Sequence, residues 1–148
     1  MFKRILVPLD GSTPSRAGLE QAFALAKSEG GRLRLIHVVD ENALLQGMEP
    51  AFNVGELLEA VAEEGRKLLA EAAAVARRRG VKAETVLYEQ HIGRVAERII
   101  REAKKWPADV IVMGTHGRRG IGRLVMGSDA EEVVRTTPVP VLLVRQPT

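Results

Sequence analysis

A glycine-rich segment in the carboxyl-terminal part of the chain holds the residues with the clearest capacity for chemistry. Its sequence is Gly114-Thr115-His116-Gly117-Arg118-Arg119-Gly120-Ile121-Gly122-Arg123, and Gly127-Ser128 follows shortly after. Four glycines within nine residues let backbone N–H groups surround an anion without interference from Cβ atoms. A helix beginning at Gly127-Ser128 would add free N–H groups, a positive dipole end and the Ser128 hydroxyl. With the nearby arginines supplying charge, the segment predicts a phosphate site.

The segment matches neither of two common phosphate-binding motifs. A Walker A loop needs Gly-Lys-Ser or Gly-Lys-Thr, which does not occur in the chain. A dinucleotide fingerprint would follow the first strand, where the sequence is Asp10-Gly11-Ser12. The glycines could instead form simple turns and the arginines a solvated rim. We favour phosphate because the segment follows a buried strand, precedes a helix and lies where parallel sheets bind ligands.

The elements that must position this segment alternate between strands and helices. Short apolar runs predict parallel strands at residues 5–9, 33–39, 109–113 and 139–144, and the first and third of these are predicted to be buried on both sides. An alternating run at residues 81–88 predicts a strand near the sheet edge. Helical periodicity predicts four helices, at residues 13–30, 54–79, 94–106 and 128–135. Residues 40–53 have no clean period and are predicted to form a loop. This order predicts one α/β domain over residues 1–148, an open five-stranded parallel sheet wound on both faces by helices.

The composition excludes several kinds of site. There is no cysteine, which rules out disulfides, thiolate zinc sites and cysteine nucleophiles. The three histidines are far apart and show no metal-ligand spacing. We expect His37 to be a hydrogen-bonded core residue, His91 to lie in an exposed loop, and His116 not to act as a general base.

Charge and hydropathy limit the classes of binding partner that we expect. The net charge is only +3 and aromatic residues make up 3% of the chain, so nucleic-acid binding is not expected. No apolar run is long enough for a signal peptide or a membrane span, so we expect a cytoplasmic protein without a membrane partner. The prolines at the start of the last strand favour an edge position.

Taken together, these motifs resemble the universal stress protein family over essentially the whole chain. Gly114-x-x-Gly117, nine residues and then Gly127-Ser128 is similar to the ATP-binding signature of that family. The family's strand sequences are similar to Lys-Arg-Ile-Leu-Val-Pro-Leu-Asp-Gly-Ser at 3–12, to His37-Val38-Val39-Asp40, and to residues 109–117 and 138–144. The resemblance implies strand order 3-2-1-4-5, as in adenine-nucleotide alpha-hydrolase-like folds. It also implies ATP with Mg²⁺ or Mn²⁺ as ligands, and a homodimer through the C-terminal strand at 141–145.

The resemblance further implies a nucleotide site drawn from three strands. Pro8 and Leu9 would line the adenine side, and Val38 would contact adenine through its backbone. Asp10 would lie near the ribose and the metal-bridged phosphates, although it could instead cap a helix or bond to the turn at Gly11. The residues expected around the ribose and phosphates are Gly114, His116, Gly117, Arg118, Gly127, Ser128 and the amide of Asp129. After Gly93 the chain departs from the family pattern, because Arg94-Val95 replaces the usual acidic residue and proline.

Three functions follow from this sequence. The first is an ATP-binding, dimeric regulatory protein of the stress response. The second is a slow ATPase or nucleotidyl-transfer enzyme using the same cleft, with His116, Asp10 and Asp129 as candidate catalytic groups. Because no general base and no Walker-type lysine stands out, we expect nucleotide binding rather than efficient catalysis. The third, a nucleotide-free dimeric scaffold, is disfavoured by the intact glycine signature.

Overall fold

The computed structural model describes residues 1–46, 53–89, 93–116 and 126–146. Its five strands are β1 Arg4–Pro8, β2 Arg32–Val38, β3 Lys82–Tyr88, β4 Val110–Gly114 and β5 Val141–Val144. Its helices are α1 Thr13–Glu29, α2 Glu41–Leu45, α3 Val54–Arg78, α4 Val95–Lys105 and α5 Ser128–Thr136. Within the described residues, no helix is long and apolar enough to cross a membrane.

The strands form one parallel sheet in the order β3-β2-β1-β4-β5, which confirms the predicted order and the edge position of β3 and β5. The central strand β1 pairs with β2 from Arg4 opposite Arg32, and with β4 at Ile5 opposite Val110. The chain order of the strands therefore reverses between β1 and β4. Crevices at the carboxyl ends of strands on either side of such a reversal are where open parallel sheets bind ligands.

Helices cover both faces of the sheet, as predicted. One aliphatic cluster packs α1 and α3 on the first face; its fully buried members include Val7, Ala22, Leu33 and Val112. The second cluster packs α4 and α5 on the other face and includes Leu6, Ile36, Ile99 and Val133. The strands β1 and β4 are buried from both sides, which explains their continuous apolar runs, whereas β2 carries Arg32, Arg34 and His37 among its apolar residues.

The first helix begins and ends where its sequence signals predict. The Ser12 Oγ accepts from the Ser15 N–H at 3.3 Å and caps α1, and Pro14 occupies the first turn. Gly30 ends the helix with φ of 64°, a left-handed conformation that suits glycine. The cap fixes the turn between β1 and α1, which carries Asp10.

The prediction of an irregular segment from residue 40 onward is wrong at Glu41–Leu45, which form α2. The Asp40 Oδ1 accepts from the Ala43 N–H at 3.1 Å and starts this helix. A helix of little more than one turn is too short to produce a hydrophobic period, so the capping bond rather than periodicity reveals it. Residues 47–52, and His91 with its predicted loop, lie outside the described residues.

Candidate functional site

A cavity of about 760 Å³ opens at the carboxyl ends of β1, β2 and β4. It lies at the reversal of strand order, in the place where the fold favours a ligand site. Nine residues named from the sequence line it: Pro8, Leu9, Asp10, Val38, Gly114, His116, Gly127, Ser128 and Asp129. The other two, Gly117 and Arg118, lie outside the described residues.

Five apolar residues, which we call the apolar wall, also line the cavity: Ala43, Leu44, Val61, Val95 and Ile99. These residues come from α2, α3 and α4, and sequence reasoning did not connect any of them with the site. Each is an ordinary helix residue with no chemical signature of its own. Only the fold shows that three helices converge on the ends of the strands.

Asp10 lies in the turn after β1, and the sequence allowed it either to contact a ligand or to bond to the turn at Gly11. The Asp10 Oδ1 accepts from the Ser12 N–H at 2.8 Å, across Gly11 with its φ of 82°. The Asp10 N–H in turn donates to the buried Ser15 Oγ at 3.2 Å. Asp10 therefore bonds to the turn at Gly11 and also lies on the cavity wall.

Close packing provides a reason for glycine at position 114. A Cβ on Gly114 would lie 2.6 Å from both the carbonyl carbon and the oxygen of Pro14, at the start of α1. No side chain fits there without moving the backbone of α1 or β4. The sequence suggested that Gly114 is glycine because a phosphate approaches it. The structure shows that it must be glycine whether or not a ligand is present.

The amino end of α5 faces the cavity. Gly127 is the N-cap of α5, and Ser128 is its first helical residue. No side chain in the described part of the chain caps this helix, and Ser128 and Asp129 are exposed and line the cavity. The first N–H groups of a helix have no intrahelical partner and carry the positive end of its dipole. The start of α5 therefore brings backbone donors to the cavity, and its first turn also carries Asp129 and Glu131.

A backbone hydrogen bond joins the two ends of the glycine-rich segment. The Gly127 N–H donates to the Thr115 carbonyl at 2.7 Å, so the start of α5 is fixed beside the end of β4. The sequence predicts that Gly114 and Gly127-Ser128, the two ends of the motif, lie at one site. The hydrogen bond shows how the backbone holds them there.

Four carboxylates, which we call the acidic rim, also line the cavity: Asp10, Asp40, Asp129 and Glu131. None of the lining residues in the described part of the chain is lysine or arginine.

The two described histidines of the cavity differ in their surroundings. His37 is buried and its Nδ1 lies 2.6 Å from the Leu9 carbonyl oxygen, which confirms the predicted hydrogen-bonded core residue. The His116 Nδ1 lies 3.0 Å from the Thr115 Oγ1. Its Nε2 is buried without a hydrogen-bond partner among the described residues.

Comparison with known proteins identifies the family. A sequence profile described as "Universal stress protein family" matches residues 1–145. The chain belongs to the universal stress protein family. A universal stress protein of Thermus aquaticus is 41% identical over 145 residues, covering 98% of this chain and all of that protein. One from Methanocaldococcus jannaschii is 37% identical and covers 99% of this chain and 84% of that protein. The crystal structure of a family member from Burkholderia pseudomallei superposes with a TM-score of 0.79 at 36% identity, over 97% of this chain and 96% of that one.

Two more distant structures of the family hold nucleotides. A universal stress protein in complex with cAMP matches with a TM-score of 0.68 and 21% identity over 99% of this chain and 98% of that one. One from Archaeoglobus fulgidus in complex with dAMP matches with a TM-score of 0.67 and 22% identity, over 97% and 98% of the two chains. At this identity, the likeness to our chain is one of fold.

Proposed function

We propose that this universal stress protein binds ATP together with Mg²⁺ in the cavity at the ends of β1, β2 and β4, as a regulatory protein of the stress response. The observation that carries the proposal is the gathering of nine predicted ligand residues around a single cavity. Its volume of about 760 Å³ lies within the usual range for small-molecule sites. The complexes of two relatives with cAMP and dAMP support the adenine nucleotide as the class of ligand.

The apolar wall and the start of α5 suit the two different parts of a nucleotide. The apolar wall and Val38 offer a surface of low polarity for the flat base. The amino end of α5 and the glycine-rich segment offer backbone donors for the phosphates. We therefore place adenine against β2 and the phosphates between β4 and α5.

A divalent cation fits the acidic rim as a partner of the phosphates. Carboxylate oxygens are the hard ligands that Mg²⁺ prefers, and this ion is commonly held by one or two carboxylates together with substrate phosphates. In the described part of the chain, no group of three or more such side chains could hold a metal by itself. Mg²⁺ would therefore enter with the nucleotide, with Asp10 as a candidate protein ligand, and would neutralise phosphate charge.

Hydrolysis is the weaker candidate function. The Asp10 carboxylate already accepts a backbone N–H, and His116 contacts a hydroxyl rather than a carboxylate. The sequence also has no Walker-type lysine to stabilise charge on a transferred phosphoryl group. We therefore propose binding with at most slow hydrolysis.

We also propose a homodimer through residues 141–145. Strand β5 lies at the edge of the sheet and pairs only with β4 among the described strands. Leu142 on this strand and Val134 on α5 are 40% and 44% exposed. Pairing with the same strand of a second copy would satisfy the edge backbone and cover both side chains.

Calorimetry on two variants of Ser128 tests the nucleotide site. Ser128→Asp places a carboxylate at the first position of α5, where it interacts favourably with the positive end of the helix dipole but repels a phosphate. We expect ATP affinity in Mg²⁺ to fall about tenfold or more while the melting temperature holds or rises. Ser128→Asn has a similar size without the charge and serves as the control. It should bind within about threefold of the wild type.

Two results would contradict the proposed binding site. The first is a wild-type protein that binds neither ATP nor its shorter analogues, and the second is equal ATP affinity in the Asp and Asn variants. A timed assay with ATP and Mg²⁺ addresses catalysis separately. If the protein hydrolyses several ATP molecules per second and His116→Ala abolishes this activity, the protein is an enzyme and not only a binding protein.

A further inference from the structure

The His37 side chain connects two residues of the cavity wall. It lies at the carboxyl end of β2 beside Leu9 and Val38, and only 9% of it is exposed. Its Nδ1 lies 2.6 Å from the Leu9 carbonyl oxygen. Because a carbonyl oxygen can only accept, Nδ1 must carry the hydrogen of this bond.

The Leu9 carbonyl marks the point where backbone pairing between β1 and β2 ends. The Leu9 N–H donates to the Ile36 carbonyl at 2.8 Å, as a parallel ladder requires. The next bond of such a ladder would run from the Val38 N–H to the Leu9 carbonyl. Among the described residues, no backbone group donates to that carbonyl, and the His37 imidazole takes this place. The Val38 N–H is thus released from the ladder at the cavity wall.

A glycine in α3 provides the space for the imidazole. A Cβ on Gly65 would lie 2.6 Å from the His37 Cδ2 and 2.9 Å from the Leu87 Cδ1. Within a helix of 25 residues, glycine is less favourable than alanine. Its presence here lets the ring lie between α3 and the sheet, where neighbouring atoms fix its orientation.

We propose that His37 is a positioning residue of the nucleotide site. Its Nδ1–H holds the Leu9 carbonyl, which sets the path of the turn that carries Asp10. The same bond leaves the Val38 N–H available to an acceptor nitrogen of the base. This inference rests on the proposed function, because it assigns to His37 the geometry of two groups that would contact the nucleotide.

Three substitutions of His37 separate the position of the donor from the presence of a polar side chain. In His37→Asn, the side-chain amide can place an N–H donor where Nδ1 is now. In His37→Gln, the donor lies one bond further out, and His37→Leu has none. We expect ATP affinity within about threefold of the wild type for the Asn variant, and about tenfold or more weaker for the Gln and Leu variants.

Two alanine variants of α3 provide a matched pair. Gly65→Ala should displace the imidazole and weaken ATP binding, although alanine favours the helix. Gly55→Ala lies in the same helix, where the nearest atom to a new Cβ is the Asn53 Oδ1 at 3.4 Å. This second variant should bind ATP as the wild type does.

Amide resonances of the nucleotide-free protein give a second readout. In ¹⁵N-labelled protein, the Asp10 and Val38 amides should shift in His37→Leu and His37→Gln and return toward wild-type positions in His37→Asn. If the Leu variant does not fold, the Asn and Gln variants carry the comparison. Unchanged amides, or equal ATP affinity in the Asn and Gln variants, would overturn the inference. If the wild type does not bind ATP, the proposed function fails, while the amides still decide whether His37 sets the path of this turn.

Discussion

The substitution Gly114→Ala distinguishes a packing glycine from a ligand-binding one. The new Cβ would lie 2.6 Å from two backbone atoms of Pro14 and 2.9 Å from its Cβ. Neither backbone atom can move by a simple change of rotamer, so α1 and β4 must separate. Overpacking of a tight interior costs about 1–3 kcal/mol, and a clash with backbone belongs at the upper end of that range. We expect the free energy of unfolding to fall by about 3 kcal/mol without any nucleotide.

Thermal and urea unfolding of the nucleotide-free protein measure this loss. In a chain of this length, about 3 kcal/mol corresponds to a decrease of roughly 6–12 °C in the melting temperature. Gly127→Ser is the matched variant from the other end of the glycine-rich segment. Its φ of −60° and ψ of 150° suit any residue, and serine is a favourable N-cap. We expect this variant to keep its stability and to lose ATP affinity, because a side chain would enter the phosphate site.

The opposite pattern would refute the reasoning. If the nucleotide-free Gly114→Ala protein unfolds at the wild-type temperature and only its ATP affinity decreases, the clash with Pro14 does not explain this glycine. The closest approach of the ligand, and not of α1, would then determine the residue type. A destabilised but nucleotide-binding Gly127→Ser protein would likewise contradict the site assigned to the start of α5.

Three further predictions concern charge and assembly. Removal of Mg²⁺ with a chelator should weaken ATP binding about tenfold or more and AMP binding much less, because ATP brings more negative charge to the acidic rim; equal losses would contradict this. Burial, together with the hydrogen bond to Glu102, raises the pKa of Tyr88 to about 12. The ultraviolet absorbance of this single tyrosine should therefore change near pH 12, and at a lower pH in the Glu102→Gln variant. Because the unfolded tyrosine loses its proton near pH 10, stability should decrease as pH rises from about 10 to 12, as alkaline melting curves would show. Leu142→Lys should shift sedimentation from dimer to monomer without lowering ATP affinity, whereas an unchanged dimer would exclude β5 as the interface.

The sheet was predictable because its signals are local and strong. Continuous apolar runs suit strands that a parallel sheet buries on both faces, and β1 and β4 have such runs. At the start of α1, either Ser12 or Thr13 suits a cap by residue type and Pro14 suits the first turn, and the structure has Ser12 as the cap. The strand order came from the family resemblance, because no pattern within one strand specifies its neighbour.

The helical side of the site was not predictable in the same way. Val61 and Val95 follow the apolar periodicity of α3 and α4, and that periodicity is fully explained by the core. Whether such a residue faces a cavity or another side chain depends on where two helices end relative to the sheet. That information lies in tertiary packing, which periodicity does not encode.

The contribution of His37 shows why a correct prediction can still be incomplete. A histidine within an apolar strand was expected to be hydrogen-bonded, and it is. The sequence could not show that its partner is the Leu9 carbonyl, because that bond depends on the register between β1 and β2 and on the absence of a side chain at Gly65. Burial therefore does not separate a structural residue from a functional one. Here one buried side-chain bond lies where the pairing of β1 with β2 ends, beside Val38 on the wall where we propose that the base binds.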